Sequence, residues 1–353
     1  MKFFFMSFDL ISFLDNFKHS RTIGGAEKQQ FLLINELMRR GNEILICTNL
    51  ERAHDAGKKY RLWRYPGNSK YLKYLLVFWK LVCFRPEVVY LRSPSNIGIA
   101  LVAYTLLFRK KMVFFSAHDT DFDPNVNLQN YNEKIFRLFI KFANHFFVQN
   151  MTQAAILKKE FDRESSLFGN IISIQKLVGN LSTFKKNYFL WVGRIEPFKR
   201  LELLLRITER LPNGQFVVVA PVNVRSEYSE EMLARTKLGI NIQYIEFAKP
   251  GELDKYYQEA RGLICTSEYE GFPNIFLEAW NNGTGVYTLG VDPNGIIQKS
   301  RGKLGYVFSS AEELVKNIHQ VLDLQDQAYM YEYLIKNHSI KENVDGFLAL
   351  VSS

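Results

Sequence analysis

Three observations predict an α/β chain of two doubly wound domains. Short apolar strands alternate with helical stretches, a polar stretch interrupts the alternation once, and the alternation then starts afresh. Strand and helix in alternation is the pattern of a parallel sheet covered by helices. With 353 residues, 47% of them hydrophobic, the chain can bury two cores.

The first half reads as strand 3–7, helix 27–40, strands 43–48 and 88–92, helix 97–108, strand 112–116, helix 132–144 and strand 145–149. The polar stretch 179–187 is the natural linker between an N-terminal domain 1–183 and a C-terminal domain 184–338. The run Tyr188-Phe-Leu-Trp-Val-Gly193 opens the second unit. Helix 200–211, strands 215–220, 242–247 and 262–266, and helix 250–260 between the last two strands complete it. The final helical segment, within 339–353, is expected to pack back on the first domain. A ligand cleft is expected between the domains, at the carboxyl ends of their strands.

Composition excludes several classes. The apolar run before Asp9 is too short for a secretory core, and 97–108 is about half a membrane span and ends in Arg109-Lys110-Lys111. Cys47, Cys83 and Cys265 are odd in number, far apart and set in apolar runs, which suits reduced core thiols in the cytoplasm. No metal-ligand spacing occurs, and no cofactor is expected. Charge is uneven: up to Lys186 there are 28 Lys and Arg against 15 Asp and Glu, and after it 17 against 21. Between Ala56 and Pro86 stand eight basic residues and no acidic one, interleaved with Tyr60, Trp63, Tyr71, Tyr74 and Trp79. Such a basic-aromatic segment suits an anionic membrane surface. Nucleic acid is a competing partner that we do not expect, and solvated lysines over an ordinary core are the plain alternative.

The segment richest in chemistry is Glu270-Gly-Phe-Pro-Asn-Ile-Phe-Leu-Glu278, two carboxylates with seven residues between them. Gly271 permits unusual backbone angles and Pro273 is tolerated where a helix begins, so a helix is expected from Pro273 or Asn274. Glu270 then lies on the preceding loop and Glu278 about one turn inside the helix. Backbone N–H groups of Asn274 and Ile275 lie between them, at a helix start that attracts phosphate. Carboxylates accept hydrogen bonds from hydroxyl groups, so a phosphorylated, polyhydroxylated ligand fits. Taken alone, a solvated Glu pair on a surface helix is the simpler reading.

Three further elements change that weighting. Gly24-Gly25-Ala26-Glu27 precedes a helix and lets backbone approach an anion, although the full dinucleotide fingerprint is absent. Gly193-Arg194-Ile-Glu196-Pro-Phe-Lys199-Arg200 follows the strand that opens the second domain, and Arg194 and Lys199 together could neutralise a diphosphate. Cations at a helix start oppose its dipole and call for a negative partner. His118 stands at the carboxyl end of the strand 112–116, two residues beyond it, and is either a structural histidine or a group of the site.

Together these residues, with Gly283-Thr284, resemble the family-four retaining glycosyltransferases of the GT-B fold, bacterial polysaccharide type, over most of the chain. The resemblance implies that Arg194 and Lys199 bind the diphosphate of a nucleotide sugar, with Gly24 and Gly25 approaching from the other domain. It implies that Glu278 holds the ribose, Glu270 the transferred sugar, and that Phe272, Asn274 and Ile275 position sugar and phosphates through their main chain. His118 would sit near the anomeric carbon and backbone around 246–248 would read the base. The implied acceptor is a glycan or lipid-linked hydroxyl; the expected location is cytoplasmic, and the charge split with the aromatic run makes the inner membrane face the candidate peripheral position. The chain departs from the family at Ala279-Trp-Asn-Asn-Gly283-Thr-Gly285-Val-Tyr287, where the family has a cysteine and a proline. Alternatives are a sugar-nucleotide epimerase or hydrolase on the same scaffold, or a non-catalytic basic protein that binds membrane or nucleic acid.

Overall fold

The structure is a computed structural model. It describes all residues except 8–9, 11–12, 14–23, 49–59, 65–71, 93–95, 118, 123–132, 175–185, 223–224, 319–323 and 353. The chain forms two compact units, Met1–Ile171 with Ile340–Ser353, and Ile172–Ser339. Of the linker stretch 179–187, only Lys186 and Asn187 are among the described residues.

The first unit runs β1 (Lys2–Met6), α1 (Gly25–Arg39), β2 (Glu43–Thr48), β3 (Arg61–Arg64), α2 (Leu72–Phe84), β4 (Val88–Arg92), α3 (Gly98–Phe108), β5 (Lys111–Phe115), α4 (Glu133–Phe142), β6 (His145–Val148), α5 (Met151–Phe161) and β7 (Ser166–Leu167). Its strands are all parallel, in the order β3-β2-β1-β4-β5-β6-β7. Strand order reverses between β1 and β4, the switch point at which doubly wound sheets bind ligands. Central strands are buried on both faces, which is why they read as continuous apolar runs. Phe4, Met6, Val89 and Phe114 enter the core beneath α2, α3 and α4, while Phe3, Phe5, Tyr90 and Phe115 enter the core beneath α1.

That second core is completed by the last helix, Ile340–Ser352, which buries Val344, Phe347 and Val351. The Phe347 ring lies 6.1 Å from Phe3, 5.7 Å from Phe115 and 5.4 Å from Phe147 between centroids. At the margin, Arg40 is ion-paired to Asp345 and donates to the Lys341 carbonyl at 3.0 Å.

The second unit runs β8 (Tyr188–Val192), α6 (Leu201–Arg210), β9 (Phe216–Val219), α7 (Glu227–Leu238), β10 (Ile242–Ile245), α8 (Pro250–Glu259), β11 (Ala260–Cys265), α9 (Asn274–Asn281), β12 (Val286–Thr288), α10 (Ile296–Lys299), β13 (Gly305–Val307), α11 (Ala311–Asn317) and α12 (Leu324–His338). Its parallel sheet has the order β10-β9-β8-β11-β12-β13, so the switch point falls between β8 and β11. Leu190, Leu263 and Trp280 fill one core, and Phe189, Trp191 and Tyr287 the other. β13 can lie against β12 only because Gly305 has no side chain: a Cβ there would stand 2.0 Å from the Val286 carbonyl oxygen, and its φ of 140° suits glycine.

Both sheets are doubly wound, as the alternation predicts. The short strands β3, β7, β12 and β13 have no counterpart in the sequence reading, since runs of two to four residues give no periodicity to detect. Cys47 and Cys265 are buried, but Cys83 is exposed, against its expected place in a core. It lies on the outward side of α2, a helix apolar almost all round, where hydropathy cannot tell the two sides apart.

Candidate functional site

In the second unit the loops leaving β8 and β11 are neighbours because those two strands pair at the switch point. The β8 loop carries Gly193 and Arg194, then a single 3-10 turn over Pro197–Lys199. Arg200 breaks that turn from α6 by adopting the left-handed conformation, φ 50° and ψ 51°. The strain of that backbone is offset by its side chain. Its guanidinium donates to the Thr266 carbonyl at 2.7 Å, the Ser267 carbonyl at 3.0 Å and the Leu289 carbonyl at 3.1 Å. Arg200 thus ties the β8 loop to the ends of β11 and β12.

Other bonds join the same two loops. Thr266 Oγ1 donates to the Lys199 carbonyl at 2.6 Å and accepts from Trp191 Nε1 at 2.9 Å. The Glu268 N–H donates to the Phe198 carbonyl at 2.8 Å, and the Phe198 and Tyr269 rings stack at 5.2 Å. Held in this way, Lys199 Nζ is ion-paired to a Glu270 carboxylate oxygen, with only 15% and 13% of the two side chains exposed. Arg194 pairs with Glu196 of its own loop at 3.1 Å. The negative partners demanded by this run of cations are therefore Glu196 and Glu270, together with the carbonyls around Arg200.

Beyond Glu270 the chain passes through Gly271 and the buried Phe272 into α9, with Pro273 in the N-cap position. That helix start has no side-chain cap and no acidic residue in its first turn. Helix starts usually carry one or the other, so this one is left suited to an anion. Asn274 and Ile275 open the helix, half-buried. Glu278 lies one turn further and accepts a hydrogen bond from Tyr257 Oη at 2.8 Å. Tyr257 is fully buried, and burial, with the Glu278 charge beside it, pushes its hydroxyl well above the usual tyrosine range. Glu278 is thereby fixed by a partner that sequence reasoning missed, because α8 and α9 meet only in the folded unit.

Gly283 and Thr284 lie at the far end of α9. Gly283 closes the helix at φ 68°, and Thr284 donates to the Tyr257 carbonyl at 2.6 Å and accepts from Lys186 Nζ at 3.1 Å. Burial lowers the Lys186 ammonium to about 8. Among the described residues, no group of three or more His, Cys, Asp or Glu could hold a metal ion.

The remaining candidates belong to the first unit. Gly24 caps α1 and Gly25 begins it, with Glu27 in the first turn, and a Cβ on Gly24 would strike that carboxylate. An acid is thus already seated at the start of α1. His118 lies outside the described residues.

Comparisons with known proteins bear on both units. Residues 23–166 match the model described as Glycosyltransferase Family 4, and residues 178–344 match Glycosyl transferases group 1. No curated protein matches in sequence. Among solved structures, sucrose-phosphate synthase from Thermosynechococcus elongatus is similar with a TM-score of 0.75 at 15% identity, over 99% of this chain and 98% of that one. Anabaena HepE, solved in complex with UDP and glucose, gives 0.73 at 14% identity over 100% and 99%. The lipopolysaccharide outer core galactosyltransferase WaaB gives 0.68 at 15% identity over 99% of both chains. At such identities the likeness is one of fold.

Proposed function

The chain belongs to the family 4 and group 1 glycosyltransferases of the GT-B fold, and on that premise we propose that it transfers a sugar, with retention, from a nucleotide diphosphate donor to a hydroxyl of a glycan or lipid-linked acceptor. The observation that carries this reading is the Lys199–Glu270 pair at the β8/β11 switch point, beside the uncapped start of α9. Two solved relatives in fold support the donor and acceptor classes, one complexed with UDP and glucose, the other a galactosyltransferase of the lipopolysaccharide core.

The donor diphosphate takes Lys199 and Arg194, and the start of α9 supplies backbone donors and a favourable dipole. As phosphate takes over Lys199, the Glu270 carboxylate is released to accept hydrogen bonds from the sugar. Glu278, oriented by Tyr257, holds the ribose hydroxyls. Main chain at Phe272, Asn274 and Ile275 positions sugar and phosphates. In the reaction the C1–O bond to the β-phosphate breaks as the acceptor oxygen forms its bond to C1 on the same face. The acceptor proton passes to the departing phosphate oxygen. Lys199, Arg194 and α9 supply the positive charge this needs, so no metal is called for in this reading.

The first unit supports location at an anionic membrane surface. On α2 the outward residues Leu75 and Trp79, four apart on one face, are 66% and 59% exposed. On the adjoining α3, Leu106, Leu107 and Phe108 are exposed beside Arg109 and Lys110. Lys80 caps this region, 5.8 Å from the Trp63 ring. Among the described residues no helix is long and apolar enough to cross a membrane. The arrangement suits a surface contact with rings at headgroup depth and cations on acidic lipid. Flotation with anionic vesicles at low salt tests this, and protein left at the bottom of the gradient would sink it.

The transfer itself is tested by two variants. Glu270→Ala is expected to lower kcat at least about a thousandfold. Glu278→Gln, which still accepts from Tyr257, raises the donor KM roughly tenfold or more with a smaller effect on kcat. Wild-type turnover by the Glu270 variant would defeat the assignment.

A further inference from the structure

At the switch point of the first sheet, between α1 and the carboxyl ends of β4, β5 and β6, lies a small recess of about 10 Å³. Its polar lining comes from Gln29, Tyr90, Arg92, Ser116, Gln149 and Asn170. Most of these groups satisfy one another or the backbone. Gln29 Nε2 donates to the Ile171 carbonyl at 2.9 Å, and its Oε1 accepts from the Ile171 N–H at 2.7 Å. Gln149 Nε2 donates to Asn170 Oδ1 at 2.8 Å, and Ser116 Oγ donates to Asp121 at 3.2 Å.

Two groups stand apart. Tyr90 is 0% exposed and Arg92 8% exposed, and the Arg92 guanidinium lies beside the Tyr90 hydroxyl, yet neither that hydroxyl nor Arg92 Nε completes a hydrogen bond of good geometry. Among the described residues no carboxylate forms an ion pair with Arg92. Buried cations are otherwise paired, because desolvation without a partner costs several kcal/mol. The positions are also rigid. The Tyr90 ring stacks on Phe5 at 4.3 Å and packs on Phe115 at 4.9 Å, and Arg92 is the last residue of a central strand. Both unfilled groups can donate, and together they present one positive charge and a hydroxyl to a space large enough for roughly one oxygen atom.

We propose that Arg92 and Tyr90 form an oxyanion subsite in the first unit, which accepts an oxygen of a carboxylate or phosphate on the acceptor. The remainder of that group stays outside, because the recess is too small for more. This rests on the transferase reading for the word acceptor, but not for the anion. An acidic sugar or a sugar phosphate thus fits better than a neutral glycan. Arg92 contributes charge-assisted bonds and Tyr90 selects the register.

Thermal shifts of the full chain, without donor and at matched ionic strength, test the subsite with inorganic phosphate and with acetate as probes. Wild-type protein is expected to be stabilised by at least one of them, which identifies the oxyanion preferred. Arg92→Met weakens that binding by at least about tenfold, as loss of a charge-assisted bond does. Tyr90→Phe keeps the ring and its stacking, so it remains a folded test should the arginine variant unfold, and it weakens binding roughly threefold or more. Equal stabilisation of wild type and both variants means that the ion binds elsewhere, as phosphate would at Lys199 and the start of α9 or as an adventitious ion only, and overturns the proposal. So does the absence of any shift with either probe, which leaves a place for a water molecule. Because no donor is present, either failure is separate from a failure of the Glu270 variant to lose transfer.

Discussion

The two units share one strand order and differ in what stands at its reversal. Between β8 and β11 the second unit is stitched by polar side chains: Arg200 on three carbonyls, Thr266 between two loops, and Lys199 on Glu270. Between β1 and β4 the first unit presents a phenylalanine-lined wall and a buried arginine without an ion-pair partner among the described residues. Topology therefore gives each unit a place for a ligand, and the side chains decide what that place is. The second is already assembled around its own charges, while the first holds a charge in reserve. The cores differ likewise, one closed by tilted and edge-packed phenylalanines from both ends of the chain, the other by tryptophan and tyrosine with polar tips. Trp280 Nε1, for example, donates to the Leu304 carbonyl at 2.8 Å.

The largest effect that would break this contrast concerns Phe347. Phe347→Ala removes a ring packed on Phe3, Phe115 and Phe147, and is expected to destabilise the first unit by about 3–5 kcal/mol. Hydrogen exchange resolved by segment should show faster opening of β1, β4 and β5 with β8 to β13 unchanged. Equal loss in both units would mean that their cores are not separate.

A smaller effect sharpens the other side. Burial lowers the folded Lys186 from 10.5 to about 8, so between those pH values the unfolded chain holds more protons than the folded one. Stability of the second unit then rises with pH across that window, and below about 8 the buried charge is a cost. Lys186→Met should remove the rise and raise stability near pH 7 by on the order of 1–3 kcal/mol, less the lost bond to Thr284. A variant whose pH profile parallels the wild type would show that Lys186 is solvated. Least of all, Leu75→Ser and Leu107→Ser should shift stability by less than about 0.5 kcal/mol while weakening vesicle binding. A large loss of stability would make that face ordinary core.

How legible all this was depends on the range over which each signal acts. The sheets could be read because β1, β4, β5, β8 and β11 are short apolar runs, with a basic residue only near an end in four of them, set between helical stretches. The start of α9 could be read from Gly271 and Pro273, and helix and loop fall where those residues put them. Glu270 and Lys199 could be named separately, but their ion pair spans 71 positions and follows only from the adjacency of β8 and β11. Tyr257 and Arg200 were missed as positioning groups, since one of two adjacent tyrosines in a helix and one more arginine in a basic loop carry no local mark. Arg92 was read as the end of a strand, and only its burial without an ion-pair partner among the described residues distinguishes it. Helix 200–211 was drawn one residue too early, because a left-handed arginine between a 3-10 turn and a helix has no propensity to announce it.

The last helix gives the molecule an order of assembly. Val344, Phe347 and Val351 close a core whose other members lie before Ile171, so the second unit is, in topology, an insertion within the first. As the chain leaves the ribosome, the face of the first sheet that α1 covers only in part must wait for Val344, Phe347 and Val351 until the whole of the second unit has emerged. The first sheet is thus completed only after the second, and the phenylalanines that Phe347 covers stay open the longer during synthesis.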